Sequence, residues 1–205
     1  MIVKICGITN PEDALEAADG GASALGFIFY PRSPRFIAYP DAARIVETLP
    51  AGITKVGVFV DMRPGEVAAR VAGIGLDVAQ LHGRESAADF PEGVRVWKAF
   101  RIAPHGPLPD LAACPAEAVL LDGAASGESF DWSLARGAGV RVIVAGGLGP
   151  ANVREAIVKA RPWGVDACSC LESSPGRKDR RALREFLRIA AEAGFETENP
   201  VPIVW

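Results

Sequence analysis

The chain carries 205 residues, 49% of them apolar, with a formal net charge of -3. That composition describes one well-buried core, and the weakly acidic balance offers no general field for nucleic acid or an anionic membrane surface. No apolar run approaches the ~18 residues of a membrane span and no basic, apolar leader precedes the first strand, so a cytoplasmic protein without a membrane partner is expected.

Cys6, Cys114, Cys168 and Cys170 read as reduced thiols rather than a disulfide framework. Zinc needs about four convergent ligands. Cys168-Ser169-Cys170 finds only His82 and His105 to add, at unsuitable spacing, so no metal site is expected.

In chain order, Met1 to Gly7 is a short apolar strand, buried on both faces, that delivers Cys6 to its tip. A free cysteine beside a turn is most often core packing, so this strand alone assigns Cys6 no chemistry. Asn10 caps a helix with Pro11 at its first position, and Glu12 and Asp13 face the positive end of its dipole. Ala22 to Phe29 is the second strand and feeds a stiff, basic loop, Tyr30-Pro31-Arg32-Ser33-Pro34-Arg35. Pro40-Asp41 opens a helix, Thr54 to Val60 is the third strand, and Pro64-Gly65-Glu66 starts the helix after it. Leu76 to His82 and Val94 to Phe100 are the fourth and fifth strands. Ala118 to Leu121 is the sixth; it presents Asp122 to a loop from Gly123 to Phe130, after which Asp131 and Trp132 begin a helix. Val140 to Ala145 runs into Gly146-Gly147-Leu148 as the seventh, Gly164 to Ser169 is the eighth, and an amphipathic helix covers Lys178 to Ala193.

Eight alternations in 205 residues, about 26 per unit, fit a compact (β/α)8 or TIM barrel spanning residues 1–205 as one domain. A doubly wound sheet would place a glycine-rich phosphate loop after its first strand, whereas here the double glycine follows the seventh, where barrels build phosphate sites.

A barrel gathers all strand C-termini at one rim, so Cys6, Arg35, His82, Asp122, Gly146, Gly147 and Ser169 converge from most of the chain. A thiol of pKa ~8.5 is only a few per cent ionised near pH 7, and a rim of helix N-termini with Arg35 raises that fraction toward what a general base needs. Asp122 poses the converse problem. To hold a proton as an acid, its carboxyl must rise from ~3.9 to ~6, which takes about 2.8 kcal/mol of differential desolvation or hydrogen bonding. The amides of Gly146 and Gly147, with those around Ser169 and Cys170, form a candidate phosphate cradle. His82 reads as a buried, hydrogen-bonded structural residue, Trp132 and Trp163 as packing, and Asp131 as a helix cap.

Taken together, Lys4-Ile5-Cys6-Gly7-Ile8-Thr9, Gly26-Phe27-Ile28-Phe29-Tyr30-Pro31 with Ser33 and Arg35, and Gly57-Val58-Phe59-Val60 form an ordered set. It continues through Gln80-Leu81-His82-Gly83, Leu120-Leu121-Asp122, Phe130-Asp131-Trp132, and Gly146-Gly147-Leu148 with Asn152-Val153. The set resembles phosphoribosylanthranilate isomerase of tryptophan biosynthesis over the whole chain. The resemblance implies a TIM barrel that converts N-(5-phosphoribosyl)anthranilate, by an Amadori rearrangement, to 1-(2-carboxyphenylamino)-1-deoxyribulose 5-phosphate. It implies no cofactor and no metal, a small phosphosugar as the only partner, and action as a monomer or homodimer. By position Cys6 matches the family's general base, Asp122 its general acid and Arg35 the residue that places the anthranilate, with Gly146, Gly147, Ser169 and Cys170 around the substrate phosphate.

Three departures stand out. Cys168-Ser169-Cys170-Leu171-Glu172 replaces the usual Ser-Ser-Gly-Val-Glu, so a glycine of the phosphate loop is Cys170, which carries strain of order 1 kcal/mol if that position needs φ > 0. Glu128-Ser129 stands where Lys-Thr is common, and Glu196 to Trp205 extends the chain. Two other readings are a barrel that binds phosphosugars without turnover and an isomerase of another aminophosphoribosyl compound. The histidine-pathway isomerases use a pair of aspartates, and against them the first strand here ends in Cys6.

Overall fold

The computed structural model describes residues 1–103, 106–123 and 130–198; His105, Glu128, Ser129 and Val201 to Trp205 lie outside them. Eight parallel strands close into a ring: β1 (Ile2–Cys6), β2 (Ala24–Ile28), β3 (Thr54–Phe59), β4 (Val78–Leu81), β5 (Val96–Ile102), β6 (Ala118–Gly123), β7 (Val142–Val144) and β8 (Gly164–Ala167). Five α-helices surround them: α1 (Pro11–Asp19), α2 (Tyr39–Thr48), α3 (Pro64–Ile74), α4 (Val153–Ala160) and α5 (Arg180–Glu198). Every strand anticipated from the sequence is present, most of them trimmed at the ends. Asp122, expected just past its strand, lies inside β6.

Local chemistry explains the helix starts and stops. Asn10 accepts from the Asp13 amide at 2.9 Å and caps α1, whose first residue is Pro11. Gly75 closes α3 in the left-handed conformation, which glycine adopts at little cost. The expected helix after each strand is not always there. A single 3-10 turn, Ala87–Asp89, links β4 to β5, and among the described residues another, Trp132–Ala135, lies between β6 and β7. The described residues between β5 and β6 contain no helix, and Pro107, Pro109 and Pro115 withhold the amides a helix would need there. Asp131 caps the Trp132–Ala135 turn through the Ser133 amide, and Gly137 and Gly139, both at positive φ, stop it from lengthening. An unanticipated hairpin, β9 (Glu172–Ser174) with β10 (Arg177–Lys178), follows the eighth strand. No described helix is long and apolar enough to cross a membrane.

The apolar residues divide into two layers. The larger packs the outward faces of the strands against the helices, with Phe27, Phe29, Phe59 and Phe186 fully buried. The smaller fills the lower barrel interior with Ala24, Val56, Val78, Trp97, Leu120 and Ile143, and Trp163 stacks edge-on against Trp97 at 5.7 Å. Alternation along each strand then delivers the next inward positions to the upper rim: Cys6, Ile28, Val58, Gln80, Arg101, Asp122 and Asp166.

Between the apolar floor and the rim lies a buried ion pair. Lys4 Nζ stands 2.8 Å from Asp166 Oδ1, and the two residues are directly opposed in the β1–β8 register that closes the ring. Both side chains are at least nine-tenths buried. Removing one member of such a pair leaves an uncompensated charge in the interior, whereas removing both does not. Asp166→Ala is therefore expected to lower unfolding stability by about 3–5 kcal/mol in urea titrations, and Lys4→Met/Asp166→Ala to recover more than half of the loss. Strictly additive losses in the double variant would show that the two side chains do not act as a pair.

Candidate active site

The strand C-termini enclose an open cavity of about 360 Å³. Cys6, Arg35, Asp122, Gly146, Gly147 and Ser169 all line it, as does His82. Cys170 does not: it is exposed, with its Cβ packed toward Gly149. Cys6 and Asp122 stand on strands three places apart around the ring, so the cavity lies between them.

Cys6 is buried at the end of β1. Its thiol is held well below the ordinary range, first by the neighbouring Cys168 thiol, and then, against the opposing effect of burial, by the ammonium groups of Lys4 and Lys178. The same contact, burial and the nearby Glu172 carboxylate push Cys168 up, so of the two coupled thiols Cys6 loses its proton first. The ammonium groups that lower the thiol are therefore Lys4, one inward position below it, and Lys178, and Arg35, which the sequence suggested, also interacts with the Cys6 charge. Burial drives the Asp166 carboxyl up to about 7 although Lys4 pulls it down, and the Cys6 thiolate adds to the rise. Lys4, fully buried, stays charged because Asp166 and Cys6 outweigh its desolvation.

Across the cavity, Asp122 Oδ2 lies 3.3 Å from His82 Nε2, and the amide nitrogen of Gln80 lies 3.3 Å from His82 Nδ1. With the Gln80 amide donating to Nδ1, the imidazole carries its proton on Nε2 and donates it to Asp122. His82 is thus a cavity residue in direct contact with Asp122, and not the purely structural histidine that its motif suggested. The loop that holds it is built for rigidity. Lys98 Nζ bonds Glu85 Oε2 at 2.8 Å and the Gly83 carbonyl at 2.9 Å, while Glu85 accepts from the amides of Asp61 and Gly83. Gly83 is required because a Cβ there would collide with Asp61. Arg101 lies in register with Asp122 on the neighbouring strand and also lines the cavity.

Arg35 arrives from the β2 loop and is locked to Glu172, with Nε 2.9 Å from both carboxylate oxygens and Nη2 2.7 Å from Oε2. Burial works to raise Glu172, but Arg35 and Lys178 prevail and hold it below the usual carboxylate range. Lys178 Nζ, buried, bonds Glu172 at 3.1 Å and the carbonyl oxygens of Cys6 and Cys168 at 2.7 and 3.3 Å. Gly7 sits beneath this cluster at φ +74°, and a Cβ there would come within 2.9 Å of both the Arg35 side chain and the Cys168 sulfur.

At the other side of the cavity Gly146 and Gly147 adopt φ of 83° and 65°. Among the described residues their amides donate no backbone hydrogen bond. Asn152 fixes the loop, its amide donating to the Gly147 carbonyl at 2.9 Å and its oxygen accepting from Gly149 at 2.8 Å. Ser169 begins a 3-10 turn, Ser169–Leu171. The backbone at Cys170 has no positive φ, so the strain anticipated there is absent.

Sequence reasoning passed over Lys4, Lys178, Glu172 and Arg101. Lys4 and Arg101 follow from inward alternation, while Glu172 and Lys178 owe their place to a hairpin that leaves no periodic signal. Residues 3–188 match the family model described as N-(5'phosphoribosyl)anthranilate (PRA) isomerase. The N-(5'-phosphoribosyl)anthranilate isomerase of Solibacter usitatus is 48% identical over 201 residues, covering 94% of this chain and 98% of that one. The phosphoribosyl anthranilate isomerase structure from Thermus thermophilus superposes with a TM-score of 0.84 at 41% identity, covering 94% and 99%. A further phosphoribosyl anthranilate isomerase, solved with reduced 1-(o-carboxyphenylamino)-1-deoxyribulose 5-phosphate, gives 0.81 at 36%, covering 94% and 100%. With a closed barrel, a cavity at its rim and matches of this extent, the chain belongs to the N-(5'-phosphoribosyl)anthranilate isomerase family, the isomerases of tryptophan biosynthesis.

Proposed function

We propose that the cavity performs the Amadori rearrangement of N-(5'-phosphoribosyl)anthranilate with Cys6 as general base and Asp122 as general acid. One observation carries the assignment: the Cys6 thiol and the Asp122 carboxyl group face one another across a cavity of small-molecule size. Asp122 protonates the furanose ring oxygen, the C1–O bond breaks, and the anthranilate nitrogen becomes a cationic Schiff base. The carboxylate left on Asp122 gains the His82 Nε2–H bond at full strength, which favours the transfer. The iminium acidifies the proton on C2, and the Cys6 thiolate removes it to give an enolamine. Return of a proton to C1 and loss of the C2 hydroxyl proton complete the ketose. No step needs an electron acceptor, because oxidation at C2 is balanced by reduction at C1.

Binding divides along the cavity. Two nitrogens of Arg35 are committed to Glu172, which leaves Nη1 for the anthranilate carboxylate. The amides of Gly146, Gly147 and Ser169 take the phosphate, and the backbone of Cys170 completes that edge without its side chain entering the cavity. Lys4 serves the base by holding the thiolate, while Asp166 keeps Lys4 charged.

Cys6→Ala and Asp122→Asn are each expected to lower kcat by about 10²–10⁴-fold with unchanged far-ultraviolet circular dichroism, measured by the loss of phosphoribosylanthranilate fluorescence in a coupled assay. Turnover near that of the parent in either variant would remove that residue from the mechanism. The thiol makes its own prediction. Since a depressed thiol pKa reflects neighbours that favour the anion, iodoacetamide should modify Cys6 with a midpoint below that of a free cysteine, and Lys4→Met should move the midpoint upward. An unmoved midpoint in Lys4→Met, read by peptide mass after alkylation across a pH series, would show that Lys4 does not hold the thiolate.

A further inference from the structure

Two thiols meet at the seam where β8 closes on β1. The register opposes Lys4 to Asp166 and Ile5 to Ala167; Cys6 is the last residue of β1, and Cys168 directly follows the last residue of β8. Alternation turns both inward, and both line the cavity. Their backbones are pinned by one buried group, since Lys178 Nζ bonds the carbonyl oxygens of both. Opposed residues on neighbouring strands lie about 4.8 Å apart, inside the ~4.4–6.8 Å between Cα atoms that a disulfide spans. The Cys168 sulfur hangs over Gly7, 2.9 Å from where a Cβ would be, so the absence of a side chain at Gly7 leaves it room beside β1. The Cys6 sulfur leans toward Gly26, and rotation about its Cα–Cβ bond turns it to Cys168.

The two sulfurs differ in character. Cys6 has Lys4 beside it, while Cys168 faces the Glu172 carboxylate at 3.8 Å. Cys6 is suited to attack an electrophile first; once it is oxidised its charge no longer holds the Cys168 proton, and the Lys178 ammonium favours the Cys168 thiolate that follows.

We propose that Cys6 and Cys168 form a reversible disulfide when the protein meets a hydroperoxide, and that this cross-link shuts the isomerase site. The Cys6 thiolate attacks the terminal peroxide oxygen; the O–O bond breaks, and hydroxide or alkoxide leaves and takes a proton from solvent. Cys6 is then a sulfenic acid. The Cys168 sulfur attacks it, the S–O bond breaks, and water departs with the Cys168 proton. Two thiols have lost two electrons and one peroxide has gained them. A dithiol reductant reverses the exchange through a mixed disulfide. Loss of turnover rests on the assignment of Cys6 as base; formation of the cross-link does not.

The test oxidises the full reduced chain with a small excess of hydrogen peroxide, blocks remaining thiols by alkylation, and reads intact mass, peptide map and turnover. The expected result is a loss of two hydrogen masses, a Cys6–Cys168 linked peptide, and turnover falling in proportion to the linked fraction and returning with dithiothreitol. Cys168→Ser under the same peroxide should carry sulfinic or sulfonic acid at Cys6 and stay oxidised in dithiothreitol. Sulfinic Cys6 in the parent chain with Cys168 free, or a link from Cys6 to Cys170 or Cys114, overturns the proposal. Linked protein with full turnover overturns it together with the role of Cys6. No link in the parent, alongside an inactive Cys6→Ala, overturns the proposal alone.

Discussion

Everything at the rim depends on the closure of β8 against β1. In this register Lys4 meets Asp166 at 2.8 Å, with Cys6 ending β1 above it and Cys168 just past the end of β8. A buried ammonium in this position is costly unless compensated, and the compensation comes from the partner strand and from the thiolate above it. Stability and reactivity thus share one group. The charge that must be neutralised for the ring to close is also one of the charges, after the Cys168 contact, that lower the Cys6 thiol.

Above the seam a second buried cation repeats the arrangement with different geometry. Lys178, from the hairpin after β8, reaches the carbonyls of Cys6 and Cys168 and the carboxylate of Glu172, and Glu172 in turn grips Arg35 from the β2 loop. Three loops far apart in sequence are so fixed to one another through charge-assisted bonds. On the opposite side, Lys98 and Glu85 do the same for the loop that presents His82 to Asp122. Asp122 and Cys6 sit on supports independent of each other, while the double glycine between them is held by Asn152.

Much of this was legible in the residues. The alternation of apolar runs with capped helix starts specified the barrel, and its rim rule collected Cys6, Asp122, Arg35 and the two glycines before any coordinates. Three features were hidden for physical reasons. Short 3-10 connections replace helices after β4 and β6 because helix formation there is forestalled by proline, glycine and brevity, which periodicity alone does not weigh. The contact of His82 with Asp122 depends on which strand stands next but one, a tertiary fact. And Lys178 looked like the start of an amphipathic helix, whereas a two-residue strand turns it inward one step before α5 begins at Arg180.

The hairpin that carries Lys178 has a consequence for how the protein comes into being. Lys178 bonds the carbonyl of Cys6, 172 positions away, and Lys4 bonds a carboxylate 162 positions away. Contacts of such separation cost loop-closure entropy before they return any stabilisation, so they form late in folding. A chain emerging from its N-terminus holds Cys6 and Lys4 from the outset without the Asp166, Cys168 and Lys178 that complete their surroundings. The thiol acquires its character only when the last unit docks, and chemical competence is then a direct report that the ring has closed.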